Sequence, residues 1–346
     1  MRAATSTRCN APWKKKNNHV IGDRLPLALA AVELAGDGPV AVLHPSVDAD
    51  LSALARERVL VISPMATVCA AFQARGFEVA ATFPADIRFA AAVVCLTRAR
   101  AEAQAVLAAA MSVTDGWVLI DGQKTDGSDS MLKALRARTD VSAPISKAHG
   151  KIYWTRGGSD FSDWAAGPEL HPGGFWTAPG VFSADGVDPA SALLVAALPE
   201  KMAGTVADLG AGWGYLSAHV LTRDVKAVHL VEAHDMALQC ARHNVTDPRA
   251  QFHWADATTW RPDDLVDTVV MNPPFHTGRM ADPSLGRAFI QAAARVLKPH
   301  GALWMVANRH LPYEDTLATS FAKVVDLDGD ARFKLVRAER PKRIRG

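Results

Sequence analysis

The sequence predicts an α/β protein of two successive units, each a largely parallel sheet covered by helices on both faces. Three observations carry this expectation. Short apolar, β-branched runs alternate with Ala/Leu/Arg-rich stretches from Val40 almost to the end of the chain. Those runs are continuously apolar rather than alternating, the pattern of strands buried on both sides. The length, 346 residues with 49% hydrophobic, exceeds one average domain and suffices for two cores.

In the first half, residues 40–43, 59–62, 93–96 and 118–120 read as strands, and 49–56, 67–75, 99–111 and 130–138 as the intervening helices. No glycine-rich loop follows the first strand. His44-Pro45-Ser46 stands there, and Pro45 lacks the amide that could cradle a phosphate. Between Ser159 and Gly174 the composition shifts to Gly, Pro, Trp and Asp, which predicts a linker entering the second unit near Phe175. There, residues 205–209, 227–231, 251–254, 266–271 and 302–306 read as strands, with helices over 215–222, 234–244 and 285–297. The expected division is a disordered tail over 1–19, one unit over 20–160 and a second over 161–346. No residue-level repeat relates the halves.

A net charge of +2 neither requires nor excludes a nucleic-acid partner, because local patches outweigh the total. Cys9, Cys69, Cys95 and Cys240 show no metal-ligand spacing and read as free thiols in a reducing compartment, so no metal is expected. No apolar run approaches the roughly 20 residues that span a bilayer. A cytoplasmic, monomeric protein is the expectation for this chain.

Chemistry concentrates in the second half. Asp208-Leu209-Gly210-Ala211-Gly212-Trp213-Gly214 follows a strand and opens a helix. Glycines there allow a tight turn and close approach of a ligand to the backbone. The spacing is GxGxG, not the GxGxxG of dinucleotide sites, and Asp208 precedes it as in sites that hold an amino group of S-adenosylmethionine. Glu232 ends the next strand about 20 residues on, where a carboxylate accepts from ribose hydroxyls. Asp256 follows the third strand and could accept from an adenine amine; a surface acid is the plainer alternative. Trp213 is open between stacking on a ligand and packing. Pro179 to Ser183 with Asp185 to Asp188 reads as turns and a helix cap that could close over the methionine end of a cofactor.

The most specific segment is Asn272-Pro273-Pro274-Phe275-His276 after the fourth strand. Two prolines fix the backbone and push Asn272 into an extended conformation. The Asn272 side-chain carbonyl and the Pro273 main-chain carbonyl can then accept both hydrogens of a planar amine on a ring. Catalysis of methyl transfer to that nitrogen is mainly positioning. Phe275 offers a face for base stacking. Pro274, His276 and Arg279 are candidate substrate contacts, His276 equally an ordinary loop residue.

Together with Val306 to Tyr313 (VANRHLPY), these segments resemble the ribosomal RNA small subunit methyltransferase C family and its large-subunit relative, which methylate the exocyclic N2 of a guanine. The resemblance is firm from about Phe175 to Arg340 and looser before it. It implies two tandem Rossmann-like class I methyltransferase domains, the N-terminal one degenerate and aiding folding and RNA engagement. It also implies S-adenosylmethionine held by Phe182, Asp208, Gly210, Gly212, Glu232, Asp256 and Asn272, with the guanine held by residues 272–275. Arg279, Arg287, Arg332, Lys334, Arg337 and the tail from Arg340 to Arg345 are candidate RNA contacts. Methylation of adenine N6 or of a protein glutamine, NAD-dependent oxidation, and a non-catalytic assembly factor are the competing readings. The GxGxG spacing and Asn272-Pro273-Pro274-Phe275 oppose the oxidoreductase, and Phe275 stands where glutamine methyltransferases usually carry Tyr.

Overall fold

The computed structural model describes residues 21–32, 37–274, 276–277, 280–281 and 283–342, with backbone alone at 276–277 and 280–281. The first 19 residues, Phe275, Arg279 and the end of the basic tail lie outside the described residues, as does the His276 side chain.

The first half runs α1 (Ile21–Ala31), β1 (Val40–Leu43), β2 (Val59–Ile62), α2 (Ala66–Ala74), β3 (Glu78–Ala80), β4 (Phe89–Cys95), α3 (Arg100–Val113), β5 (Thr114–Gln123), α4 (Ser128–Arg136), β6 (Ile145–Lys147) and β7 (Gly150–Arg156). A short ribbon, β8 (Glu169–Leu170) with β9 (Trp176–Thr177), makes the crossing. The second half runs α5 (Pro189–Ala197), β10 (Thr205–Leu209), α6 (Tyr215–Val220), β11 (Ala227–Glu232), α7 (Asp235–Asn244), β12 (Ala250–Trp254), β13 (Val266–Met271), β14 (His276–Thr277), β15 (Met280–Ala281), α8 (Pro283–Val296), β16 (Leu297–Asn308), α9 (Glu314–Ser320), β17 (Phe321–Leu327) and β18 (Phe333–Pro341).

The first sheet has the order β3-β2-β1-β4-β5-β7-β6 and the second β12-β11-β10-β13-β16-β18-β17, the same order position for position. In each, the first five strands pair in parallel and the last two join by antiparallel pairings, so β7 and β18 alone run against the other six strands of their sheets. Each sheet parts two apolar layers. Ala41 and Leu43 face one core and Val40 and Val42 the other; Ala207 and Leu209 repeat this against Val206. That two-sided burial is why the strands read as unbroken apolar runs.

The predicted helix over 49–56 is corrected to turns followed by a 3-10 turn at Arg56–Arg58. Asp50 Oδ1 accepts from the Ser52 amide (2.9 Å), a local bond that competes with the helical pattern. Sequence patterning also missed α1, α5, α9, β3 and the antiparallel-paired strands β6, β7, β17 and β18.

Strand register makes residues of the halves correspond. The His44 amide bonds Ile62 O (2.9 Å) as the Gly210 amide bonds Val231 O (2.8 Å). His44 therefore stands where Gly210 does, Ser63 where Glu232 does and, through the β1–β4 and β10–β13 registers, Cys95 where Asn272 does. His44 keeps a left-handed φ of 52°, a conformation natural to glycine and uncommon for histidine. The N-terminal half thus retains the fold while the glycine loop, the acid and the amide are replaced.

Equivalent positions also join the halves. Met65 and His234, each the residue capping the helix that follows, form an antiparallel bridge. Ala66 N–H donates to Ala233 O (2.8 Å) and Asp235 N–H to Pro64 O (2.7 Å). Each bond is the other's image when the halves are exchanged, so the junction is locally two-fold. Trp254 Nε1 adds a bond to Pro64 O (2.9 Å).

Arg24 of α1 is fully buried against Asp121 of β5, with Nε–Oδ1 at 2.6 Å and Nη2–Oδ2 at 2.8 Å; Nη1 donates to Lys147 O at 3.0 Å. Removing one partner of a buried pair leaves an uncompensated charge. Arg24→Ala is expected to lower unfolding free energy by about 3–5 kcal/mol in urea denaturation. A loss under about 1 kcal/mol would show the pair to be dispensable.

Candidate active site

The glycine loop leaves β10 through Gly210, Gly212 and Gly214, with φ of 77°, 57° and 91°. Gly212 decides the shape of the site: a Cβ there would meet nothing within 4 Å, so its α-carbon borders open space, and its amide donates to Glu232 Oε2 (2.8 Å). Glu232 Oε1 accepts from the His234 amide (2.8 Å). The acid at the tip of β11 therefore braces the loop and faces a cleft of about 550 Å³, bordered also by Phe182, Asp256, Asn272, Pro273 and Pro274. Asp256 Oδ1 accepts from the amide and hydroxyl of Thr258, both 2.7 Å, which fixes it after β12.

Asp208 lies elsewhere. It is fully buried beneath the loop and does not border the cleft. Oδ2 accepts from Ser217 Oγ (2.7 Å), while Oδ1 has no partner among the described residues. Burial raises its carboxyl to about 7, the Ser217 bond opposing and the nearby Glu232 charge adding to the rise. Its placement suits support of the loop from below rather than direct contact with a ligand.

Trp213 is 4% exposed and packs on Phe175, ring centroids 4.8 Å apart; its indole N–H donates to Phe182 O (3.1 Å). It is a strut under the 179–188 segment. The Phe182 ring that it supports is 57% exposed on the cleft wall.

Asn272, at the end of β13, is held from behind. Its Nδ2 donates to Asp188 Oδ2 and to Ser191 Oγ, both 2.9 Å. Asp188 also caps α5, accepting from the Ser191 amide (2.8 Å), and Pro189 takes the first helical position where its missing N–H costs nothing. A carboxylate only accepts, so the amide nitrogen of Asn272 must face it. Oδ1 then faces away and accepts no hydrogen bond among the described residues. Sequence reading placed Asp188 over the methionine end of a cofactor. The structure places it behind Asn272 and adds Ser191, Leu285 and Phe289 to the surroundings of the cleft. The Asp-Pro cap signature was the available signal for α5 and Ser191.

Among the candidate RNA contacts, Arg287 and Arg332 are exposed. Arg337 pairs with Glu339 and sits over the Trp304 ring. Lys334 is corrected: it is 4% exposed, with Nζ bonded to Leu311 O and Glu314 Oε1, both 2.5 Å. Strand β18 points its side chain inward, so it cannot meet a phosphate.

A family model described as the methyltransferase small domain matches residues 173–337. The ribosomal RNA small subunit methyltransferase C of Hahella chejuensis is 32% identical over 238 residues, covering 63% of this chain and 68% of that one. The chain belongs to the ribosomal RNA small subunit methyltransferase C family. Its namesake from Shewanella pealeana is 30% identical over 272 residues, 73% of this chain and 78% of that one. A large-subunit relative, methyltransferase G of Shewanella oneidensis, is 29% identical over 245 residues, 65% and 63% of the two chains. Among solved structures, the T. thermophilus 16S rRNA N2 G1207 methyltransferase in complex with AdoMet and guanosine superposes with a TM-score of 0.74 at 25% identity, over 92% of each chain. The fold is the expected one: two tandem Rossmann-like methyltransferase domains with a degenerate N-terminal copy.

The raised Asp208 carboxyl sets a pH dependence. The folded protein holds this proton up to about pH 7, whereas the unfolded chain releases it near 3.8. Stability from this group therefore falls as pH rises between those values and is flat above. Asp208→Asn is expected to gain in Tm relative to the parent at pH 8 compared with pH 5, by calorimetry. An equal difference at both pH values would mean the carboxylate is charged at neutrality.

Proposed function

We propose that this family member transfers a methyl group from S-adenosylmethionine to the exocyclic N2 amine of a guanine in small-subunit ribosomal RNA. The observation that carries this is the amide of Asn272: its nitrogen is tied to Asp188 and Ser191, and its carbonyl, which accepts no hydrogen bond among the described residues, stands at a cleft bounded by a glycine loop and two acids. The solved relative bound to AdoMet and guanosine supports the same pairing of ligands.

The residues fit the cofactor. Gly212 leaves space for close approach, Glu232 and Asp256 offer carboxylate oxygens at the cleft, and Phe182 offers an exposed ring. Gly210 and Gly212 would line the methionine side, Glu232 the ribose and Asp256 the adenine, with Asp208 supporting the loop. When bound, S-adenosylmethionine supplies an electrophilic methyl on sulfur. Asn272 Oδ1 and the Pro273 carbonyl accept the two N–H groups of the guanine amine and aim its lone pair. Pro274 and, outside the described residues, Phe275, His276 and Arg279 flank the base. No side chain must first remove a proton, since the amine loses it after transfer, so the rate gain is chiefly positioning. A duplexed guanine would have to be flipped out or presented in a distorted element.

We further place the domain boundary near residue 160 and read the N-terminal unit as a cofactor-free support. We read the protein as a cytoplasmic monomer acting on ribosomal RNA or a ribosomal subunit. No described helix is long and apolar enough to cross a membrane, and no described group of His, Cys, Asp and Glu could hold a metal.

Two measurements test this. Incubation with labelled S-adenosylmethionine and ribosomal subunits from a strain lacking the gene is expected to yield N2-methylguanine by nucleoside mass spectrometry; label in N6-methyladenine or in protein alone would sink the guanine assignment. Asn272→Ala is expected to keep cofactor affinity within about two-fold and to lower kcat by roughly 100-fold or more, the scale of losing an oriented contact. Full turnover in that variant would remove the amine clamp from the mechanism.

A further inference from the structure

The cleft has a wall that the C-terminal half does not supply. Met65 and Thr67, both from the N-terminal half, border it beside Glu232, Ala233 and Asp256. They arrive there through the two-fold junction. The Ala66–Ala233 and Asp235–Pro64 backbone bonds and the Trp254–Pro64 bond pin the start of α2 against the tip of β11. Met65 caps α2 and Thr67 lies in its first turn, so the pinning fixes the backbone from which both side chains border the cleft. The exchange is mutual: His234 and Met236 of the C-terminal half border a cavity of about 220 Å³ at the matching end of the N-terminal sheet, with His44 and Phe83.

We propose that Met65 and Thr67 are cofactor-binding residues that close the nucleoside end of the site, so that the degenerate half completes the cofactor site of the active one. This rests on the assignment of the cleft to S-adenosylmethionine. Glu232 and Asp256, the acids placed for ribose and adenine, mark this as the nucleoside end. A thioether is polarizable and conforms to the edge of a flat aromatic ring. The Thr67 hydroxyl makes no hydrogen bond among the described residues and can both donate and accept, which suits a ribose hydroxyl or a ring nitrogen. The catalytic half keeps Gly212, Glu232 and Asn272 for the methionine, ribose and methyl-acceptor sides and apolar lining at Ala257, Leu285 and Phe289, and the N-terminal half adds Met65 and Thr67.

The test uses the full-length protein and isothermal titration calorimetry with S-adenosylhomocysteine, alongside steady-state kinetics. Met65→Ala is expected to raise Kd and the cofactor KM about five- to ten-fold, the size of a lost sulfur–aromatic and apolar contact. Thr67→Val is expected to raise both about two- to five-fold, the size of one hydrogen bond. In each, kcat at saturating cofactor stays within about two-fold and Tm within about 2 °C, because the junction is made by main-chain atoms and the Trp254 indole. Met65→Leu, which keeps the apolar bulk, is expected to restore binding. A purely structural role predicts the reverse: Tm and kcat fall while Kd holds. Parental Kd in both Met65→Ala and Thr67→Val, with the parent binding normally, overturns the proposal. Should Met65→Ala fold poorly, Met65→Gln and Thr67→Val carry the test by the same criterion. Failure of the parent itself to bind would instead strike the cofactor assignment, and this proposal with it.

Discussion

The bond from Asn272 Nδ2 to Asp188 Oδ2 is the constraint on which the active half depends. One carboxylate oxygen caps α5 and fixes the orientation of an amide at the end of the central strand. Asparagine alone could present either its oxygen or its nitrogen to a substrate, and the two ends are nearly the same shape. An acceptor behind it removes the choice. The 179–188 segment, Trp213 beneath it and α5 behind it form the support that keeps Asp188 in place. Chemistry that needs an acceptor pair is thereby built from a neutral side chain, with no group whose proton must be tuned.

A second arrangement of the same kind holds the loop. Glu232 bonds the Gly212 amide and the His234 amide, tying the glycine turn to the start of α7. Asp208 lies below, with one oxygen unpaired among the described residues and its carboxyl raised by burial to about 7. Buried polar groups are normally paired, and an exception at a functional loop marks a place where stability is given up.

The two halves show what a shared fold does and does not preserve. Sheet order and two-sided burial persist in both, because apolar packing tolerates extensive substitution if the pattern is kept. The chemical positions do not: Gly210, Glu232 and Asn272 correspond to His44, Ser63 and Cys95. His44 still holds a glycine-like φ, so the loop geometry outlasted the residue that made it easy. The reciprocal bridge at Met65 and His234 turns this relation into an interface, in which each half reaches the cleft of the other.

The sequence by itself determined the parallel strands of both halves except β3, the glycine loop, the acids at the end of β11 and after β12, and the amide-proline segment. These are local signals: apolar runs, turn residues, and side chains at strand ends whose chemistry does not depend on distant neighbours. Residues 40–43, 59–62, 205–209 and 266–271 were legible to the residue because buried strands admit little else. The helix expected over 49–56 failed because an Asp50–Ser52 turn outweighed propensity, and Lys334 read as a surface cation because composition does not say which side of a strand a residue takes. Only the tertiary structure decided that Asp188 and Ser191 orient Asn272, that Asp208 lies under the loop, and that Met65 and Thr67 reach the cleft. Those are contacts between segments far apart in the chain. They depend on how two sheets and their helices pack, and no spacing along a single strand or helix encodes that.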